Sequence, residues 1–461
     1  MEPLSRRALS LSVGASALVP GAVRAATPTP ALTDEAIRQI LVDRIEVRKK
    51  SLGMVVGLTS REGRRVIGYG VLDRKDRRVP GADTVFAVGS VTKLFTALIL
   101  ADMARRGEVA LGDPVARYLP AAVPQRNGRQ ITLVDLATHT SGLPFWPSNL
   151  APPPPENAQH YTEAQLYAFL AGYQLTRDPG SQWEYSNLGF ALLGHALARR
   201  AGLDYATLLG DRITRPLGMR DTGVMPSPAM RSRLAMGHDE ALQPTRRWNF
   251  GLFAPAGGAL STVNDLLSFA EMTMAAPTAS PLAAASALML QTRVSVPIIE
   301  GQQALGWEIR GRGEGQFLNK DGVEVGFTAS IVCAPATGDA VVVLSNSVIG
   351  AADIARHLLR PALPLAKAYK VITLPREALD AYVGQYRPGP GFTFTVSRAE
   401  SFLLLQLPSA PRFPIKPIGP AAFVVEEVGL ELEFQRDPAG RVAGMVLHVP
   451  GRPPIAAARV P

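Results

Sequence analysis

The segment Phe86-Ala87-Val88-Gly89-Ser90-Val91-Thr92-Lys93 decides how this chain reads. A serine and a lysine three residues apart on a helix lie on one face, so the amine can reach the hydroxyl. Ser90 opens the predicted helix, where free backbone N–H groups and the helix dipole favour developing negative charge. The helix continues through Leu94, Phe95, Leu98, Ile99 and Met103 and is closed by Gly107. Lys93 is set among Val91, Leu94, Phe95 and Ala97, where desolvation lowers an amine's pKa toward that of a useful base. An S-x-x-K pair turns up about once by chance in a chain of this length, so the surroundings have to carry the reading.

Working outward, residues Glu35 to Lys49 read as a helix with Ile37, Ile40, Leu41 and Ile45 on one face. Met54 to Leu58 and Arg65 to Val71 read as strands around the turn Ser60-Arg61-Glu62-Gly63. Leu188 to Leu197 is another apolar helix, and strand character returns between Gly306 and Asn346, most clearly in Ala340 to Leu344. Strands at both ends with helices between predict an α/β sandwich whose sheet joins chain-distant segments. Two further clusters carry chemistry. Tyr185-Ser186-Asn187 follows the turn Asp178-Pro179-Gly180, and Lys320-Asp321-Gly322 falls where a strand is expected, followed by Gly326-Phe327.

The order S-x-x-K, Y-x-N, K-x-G is that of the penicillin-recognising serine hydrolases. Leu136-Ala137-Thr138-His139-Thr140-Ser141-Gly142-Leu143-Pro144 resembles the L-x-T-H-T-S-G-L-P stretch of the class C β-lactamase-like family. Pro216 to Thr222 is similar to its P-L-G-M-x-D-T segment, and Pro255 to Thr262 to its A-G-G-L-x-S-T stretch. The resemblance covers about residues 35–350. It implies a β-lactamase/transpeptidase-like α/β (α+β) sandwich, an antiparallel sheet with helices on both faces and a helical subdomain. The domain is expected over residues 30–365.

Carried over by that resemblance, Ser90 is the nucleophile that becomes acylated, and Lys93 and Tyr185 share the proton transfers. Asn187 would orient Lys93 and bond the substrate amide. Lys320 adds positive charge beside Tyr185 and can attract a substrate carboxylate, with Asp321 and Gly322 in the same binding strand. The oxyanion hole is expected from the backbone N–H groups of Ser90 and Val323. Asp321 stands where the family commonly has threonine, and an ionised aspartate facing the cleft would repel a substrate carboxylate. His139 invites a Ser-His-Asp reading, but it lies in a family segment with a structural role. Histidines 160, 195, 238, 357 and 448 lack metal-ligand spacing, so no metal is expected. No cofactor is implied, because no Gly-rich phosphate loop follows a strand. Trp146, Trp183, Trp248 and Trp307 either line the cleft or pack in the core.

Composition bounds the remaining possibilities. The 461 residues allow three domains at most, at about 150 residues each. Hydrophobic residues at 47% and charged residues at 19% exclude a disordered chain. The net charge of +9 is scattered without a basic run, which reads as solubility rather than nucleic-acid binding. Weak attraction to an anionic polymer or envelope surface remains compatible with it. Cys333, the single cysteine, excludes an intramolecular disulfide and reads as a small buried hydrophobe.

Residues 1–25 read as a signal peptide: Arg6 and Arg7, then the apolar stretch Ala8 to Val19, then Val23-Arg24-Ala25 for cleavage. Ser5-Arg6-Arg7-Ala8-Leu9 also resembles a twin-arginine signal, so a periplasmic location is expected. No integral membrane segment is expected in the mature protein. Pro152 to Pro155 reads as a stiff surface loop. After Pro361, short strands at 8–12-residue spacing predict a small antiparallel barrel over residues 371–461: Phe392 to Val396, Phe402 to Leu407, Phe423 to Val425, Leu430 to Phe434 and Val442 to His448. Its Tyr382-Val383-Gly384-Gln385-Tyr386 opening is similar to the lipocalin-like domains appended to many of these hydrolases.

The leading expectation is a periplasmic serine hydrolase of the DD-carboxypeptidase/endopeptidase (AmpH-like) or class C β-lactamase-related group, acting on peptidoglycan peptides or β-lactams through a Ser90 acyl-enzyme. A carboxylesterase or D-aminopeptidase on the same site, and a non-catalytic protein that binds wall fragments, are the competing readings.

Overall fold

A computed structural model describes residues 32–150, 158–291, 294–296, 301–389, 392–399, 402–406, 412–426, 429–449 and 453–460. The expected signal peptide and the run Pro152 to Pro155 lie outside these residues.

The central strands are buried at nearly every position, so the sheet they build needs cover on both faces. Its strands are β1 (Gly53–Ser60), β2 (Gly63–Gly70), β3 (Val294–Val296), β4 (Gly301–Gln303), β5 (Glu308–Arg310), β6 (Phe317–Glu324), β7 (Phe327–Ala334) and β8 (Asp339–Ser345). They form an antiparallel sheet in the order β2-β1-β8-β7-β6-β5-β4-β3. β1 pairs with β8 from Met54 opposite Ser345 to Thr59 opposite Ala340, joining the two ends of the domain. Met54, Val56, Val332, Val341 and Val343 pack on one face, and Val55, Ile331, Cys333, Val342 and Leu344 on the other. Cys333 is fully buried, and burial pushes its thiol pKa well up, as suits an inert core residue.

Around the strands run α1 (Asp34–Val42), α2 (Thr92–Arg105), α3 (Asn187–Ala201), α4 (Val263–Met274), α5 (Pro281–Gln291) and α6 (Ala352–Leu359). Thr33 caps α1 by accepting from the Ala36 N–H, and Asp34 and Glu35 suit its dipole. Ile37 and Leu41 of α1 join Ile354, Ala355 and Leu359 of α6 over the Met54 face. The opposite face is covered by α4, whose close approach depends on Gly57: a Cβ there would lie 2.2 Å from Val263 Cγ1. Next to α4 lies α2, buried continuously from Thr92 to Met103 because it is wrapped by helices as well as sheet. Helices therefore cover both faces, as the sequence implies. No helix among the described residues is long and apolar enough to cross a membrane.

The C-terminal segment is a closed barrel of β9 (Gly384–Gly389), β10 (Phe392–Arg398), β11 (Leu403–Gln406), β12 (Arg412–Pro417), β13 (Ala422–Val425), β14 (Leu430–Arg436), β15 (Val442–His448) and β16 (Ile455–Arg459). Pairing of Tyr386 with Arg459 closes it. Tyr382, Tyr386, Phe423 and Phe434 pack inside, edge-to-face except for the tilted pair Tyr382–Phe434. The buried Tyr386 hydroxyl donates to the Tyr382 carbonyl at 2.7 Å. Ion pairs tie the barrel to the larger domain: Lys50 to Glu426 at 2.8 Å, and Lys416 to both Glu240 at 2.5 Å and Glu426 at 3.0 Å.

Behind α1, Arg44 is 4% exposed and makes two bonds to Asp353, at 3.0 and 2.7 Å. Removing one partner of such a pair leaves a buried charge uncompensated, at a cost of about 3–5 kcal/mol. Arg44→Met is expected to lower stability in urea unfolding by about that much, and adding Asp353→Leu to recover most of it.

Candidate active site

The turn that carries Ser90 is fixed on three sides. Phe86 and Ala87 pair with Ser261 and Leu260, and Val88 N–H donates to the Ala259 carbonyl at 3.0 Å. Gly89 to Val91 form a 3₁₀ turn, so the α-helix proper starts at Thr92, two residues later than the sequence suggests. Thr92 Oγ1 donates to the Gly89 carbonyl at 2.7 Å and accepts from Ala259 N–H at 3.0 Å. On the third side β6 presses against the turn. A Cβ on Gly322 would sit 2.0 Å from the Val88 carbonyl oxygen and 3.1 Å from Ser90 N. Gly89 has φ +48°, and a Cβ there would lie 2.6 Å from the Val323 carbonyl oxygen. Both glycines are therefore conditions for bringing Ser90 and Val323 together.

Four polar side chains from three regions converge at the half-buried Ser90. Lys93 Nζ lies 3.1 Å from Ser90 Oγ, and the Tyr185 hydroxyl 2.8 Å from it. Lys93 also donates to Asn187 Oδ1 at 2.8 Å and to the Ala256 carbonyl at 2.6 Å. Those two oxygens only accept, so they hold two of the amine's hydrogens and leave its third direction, hydrogen or lone pair, aimed at Ser90. Lys93 is completely buried, and desolvation together with Lys320 brings its pKa down to about 8, against the opposing pull of Tyr185. Burial alone would raise the Tyr185 phenol, but Lys320 and Lys93 outweigh it and bring the pKa to about 8. Their ammonium nitrogens sit 5.3 and 4.9 Å from the centre of its ring. A base and an acid with matched, near-neutral pKa values on one hydroxyl can move a proton on and off it.

Asp321 departs from the expectation that it faces the substrate. Side chains alternate along β6, so Lys320 and Gly322 point to the Ser90 side and Asp321 to the α6 side. There it accepts from Ser330 Oγ at 2.7 Å and from Arg356 at 2.9 Å. Burial would raise its carboxyl pKa, but Arg356 and Arg310 hold it below the usual range. The charge is neutralised behind the sheet and does not repel an anion in the cleft. Val323 is 61% exposed at the cleft rim. Pairing of β5 with β6 ends at Glu308 opposite Asn319, so among the described residues the β6 edge from Lys320 to Glu324 has no sheet partner on that side.

His139 forms no triad. It holds a left-handed φ of +60° and is 1% exposed, with its ring stacked on Tyr185 at 4.2 Å. Its carbonyl accepts from Glu184 N–H at 2.7 Å and its Nδ1 from Ser186 N–H at 3.1 Å, bracketing Tyr185 on both sides. Burial, then Lys320 and Lys93, push its pKa well below normal, so the ring is neutral with its proton on Nε2. Sequence reasoning missed this bracket and the Ala256 carbonyl, because a backbone acceptor leaves no residue-type signal. Of the tryptophans, Trp183 packs edge-on against His139 and Tyr185, whereas Trp307 is fully buried against Phe269. No metal-holding cluster of His, Cys, Asp or Glu occurs among the described residues.

A family model described as Beta-lactamase matches residues 35–363. The D-alanyl-D-alanine-carboxypeptidase/endopeptidase AmpH of Escherichia coli (strain K12) is 34% identical over 278 residues, 58% of this chain and 69% of that protein. Esterase EstB of Burkholderia gladioli is 30% identical over 306 residues, 58% of this chain and 75% of that protein. Among solved structures, the Beta-lactamase/D-alanine carboxypeptidase from Yersinia pestis complexed with citrate is similar, with a TM-score of 0.60 and 26% identity. That likeness covers 72% of this chain and 98% of that one.

Two outcomes follow from the geometry. Lys320→Met removes a cation that lowers both coupled pKa values, so the pH profile of Ser90 acylation shifts upward by about one unit in stopped-flow measurements. His139→Asn keeps a side-chain acceptor and tolerates the left-handed backbone, so it retains more acylation rate than His139→Ala at equal thermal stability.

Proposed function

The chain belongs to the Beta-lactamase family and is a serine hydrolase, and from that premise we propose that it cleaves peptides ending in D-Ala-D-Ala, of the kind found in peptidoglycan, through a Ser90 acyl-enzyme. The observation that carries this reading is the convergence of Lys93 Nζ and the Tyr185 hydroxyl on Ser90 Oγ at 3.1 and 2.8 Å, with Lys320 behind the tyrosine ring. Lys93 and Tyr185 take the Ser90 proton as Oγ bonds to the carbonyl carbon. The developing oxyanion is received by the backbone N–H groups of Ser90 and Val323, each such donor being typically worth about 2.7–4 kcal/mol. The C–N bond then breaks, and the Tyr185 side returns the proton to the leaving amine. Water enters, loses a proton to the same pair and attacks the ester, and the departing Oγ is reprotonated.

Asn187 holds Lys93 and faces the substrate amide. Lys320 offers positive charge to the terminal carboxylate, and Asp321 does not oppose it, being paired with Arg356. The unpaired edge of β6 suits a peptide backbone lying alongside as one more strand. The relative named as a D-alanyl-D-alanine-carboxypeptidase/endopeptidase supports this substrate class, and the expected signal over residues 1–25 would bring the chain to it.

Intact mass after incubation with penicillin G tests the reading. One opened penicillin is expected on the wild type and none on Ser90→Ala, with Tyr185→Phe slowing adduct formation by about 10²–10⁴-fold. A persistent adduct together with release of D-Ala from a D-Ala-D-Ala peptide supports the peptidase. Rapid adduct loss with drug turnover makes it a β-lactamase instead. Turnover of p-nitrophenyl butyrate without adduct makes it an esterase, and neither adduct nor turnover makes it a binding protein.

A further inference from the structure

Just beyond the catalytic strand lies a cavity of about 480 Å³ that none of the residues above occupies. It is lined by Arg231, Arg246 and Arg247, by Asp73 and Asp76, and by Phe327. The two carboxylates are already engaged: Asp73 accepts from His238 Nε2 at 3.1 Å, and Asp76 is held by Arg78 at 2.5 Å. Among the described residues the exposed Arg231 and Arg246 side chains make no hydrogen bond or ion pair, and Arg247 has only the nearby charge of Glu324. This is out of pattern for the neighbourhood, where Arg78 pairs with Asp76 and Arg233 makes a forked bond to Asp221 at 2.8 and 2.6 Å. Arg247 is also half-buried, and burial works against its charged form. The one opposing charge on it is Glu324, whose own carboxyl burial raises to about 7, so three guanidinium groups share one weakened counter-charge and favour an anion among them.

The cavity's position says where such an anion would come from. β6 carries Lys320 and then Val323, turns at Val325-Gly326, and returns as Phe327, which lines the cavity. Trp248 N–H, next to Arg247, donates to Glu324 at 3.1 Å and stitches the arginine segment to the same strand end. A peptide along the open edge, with its terminal carboxylate at Lys320 and its scissile carbonyl at Val323, advances about 3.3 Å per residue toward that turn. Its acyl-side residues therefore run toward the three arginines.

We propose that this cavity is an anion subsite that takes a side-chain carboxylate of the peptide on the acyl side of the scissile bond. The proposal rests on the peptidase reading above for the direction of the chain. It makes Arg231, Arg246 and Arg247 specificity-determining residues rather than catalytic ones. Charge-assisted, forked bonds of this kind are strong enough to separate a carboxylate from its amide by about tenfold.

Two N-acetylated peptides ending in D-Ala-D-Ala decide the matter, differing only in whether the preceding side chain ends in a free carboxylate or its amide. Their binding to the full-length Ser90→Ala chain is measured by calorimetry, alongside kcat and KM for the wild type. The carboxylate peptide is expected to bind about tenfold tighter, with the difference in KM rather than kcat. In the Ser90→Ala background, Arg246→Gln/Arg247→Gln should erase that ratio, and Arg246→Lys/Arg247→Lys should restore part of it, with near-UV circular dichroism confirming that each is folded. Equal binding of the two peptides, or a ratio that survives the glutamine variant, overturns the subsite. The expected binding ratio without hydrolysis of either peptide overturns the peptidase reading and leaves the subsite standing. No binding of either peptide overturns both.

Discussion

One buried ammonium group organises the centre of this protein. Lys93 has no exposure, and a cation in that position is strongly unfavourable unless its hydrogens are all received. The acceptors come from three separate stretches of chain: Ser90 one helical turn before it, Asn187 at the start of α3, and the carbonyl of Ala256 ahead of α4. Satisfying one lysine therefore aligns α2, α3 and the turn at residues 254–257. The remaining tension is visible in the neighbouring groups, since Lys320 lowers the pKa of Lys93 while making the Tyr185 phenolate easier to form. Stability and chemistry draw on the same charges here.

How much of this was legible in the sequence depends on the range of each signal. Ser90 and Lys93 are three residues apart, so helical geometry alone links them. Tyr185 and Lys320 are remote in the chain, and only their order in a resembled pattern pointed to the same place. The orientation of Asp321 was available from strand alternation, because residues on either side of it face Ser90, yet its likeness in position to a family threonine pointed the other way. In the barrel, β10, β11, β13, β14 and β15 carry plain β-forming runs and were read. β9 with Gly384, Pro388 and Gly389, β12 with Pro414 and Pro417, and β16 with three alanines lack that signature and were not. The short strands β3 and β4 are likewise too brief to give a period of two.

Charge ties the barrel to the larger domain. Glu426 is held between Lys50 of the larger domain and Lys416 of the barrel. Burial would raise its pKa, but the two lysines lower it, so the folded value lies below the unfolded one. The contribution of this clamp is therefore present above the ordinary carboxylate range and is lost as pH falls through the depressed value. Lys416 also reaches Glu240, in the segment between His238 and Arg246, whose side chain lines the cavity. The barrel and the cavity thus share one loop.

The unpaired edge of β6 has a further consequence. Open strand edges are templates for any extended backbone, and soluble proteins usually blunt them with lysine, proline or a covering element. Among the described residues the edge from Lys320 to Glu324 has no sheet partner, and covering it would close the cleft. At high protein concentration the most abundant candidate is another copy of the same chain, whose edge would occupy the place of the substrate. Crowding would then inhibit by competition at the backbone, without touching the catalytic serine. An inhibitor built on a rigid extended backbone would exploit the same vulnerability before any warhead is added.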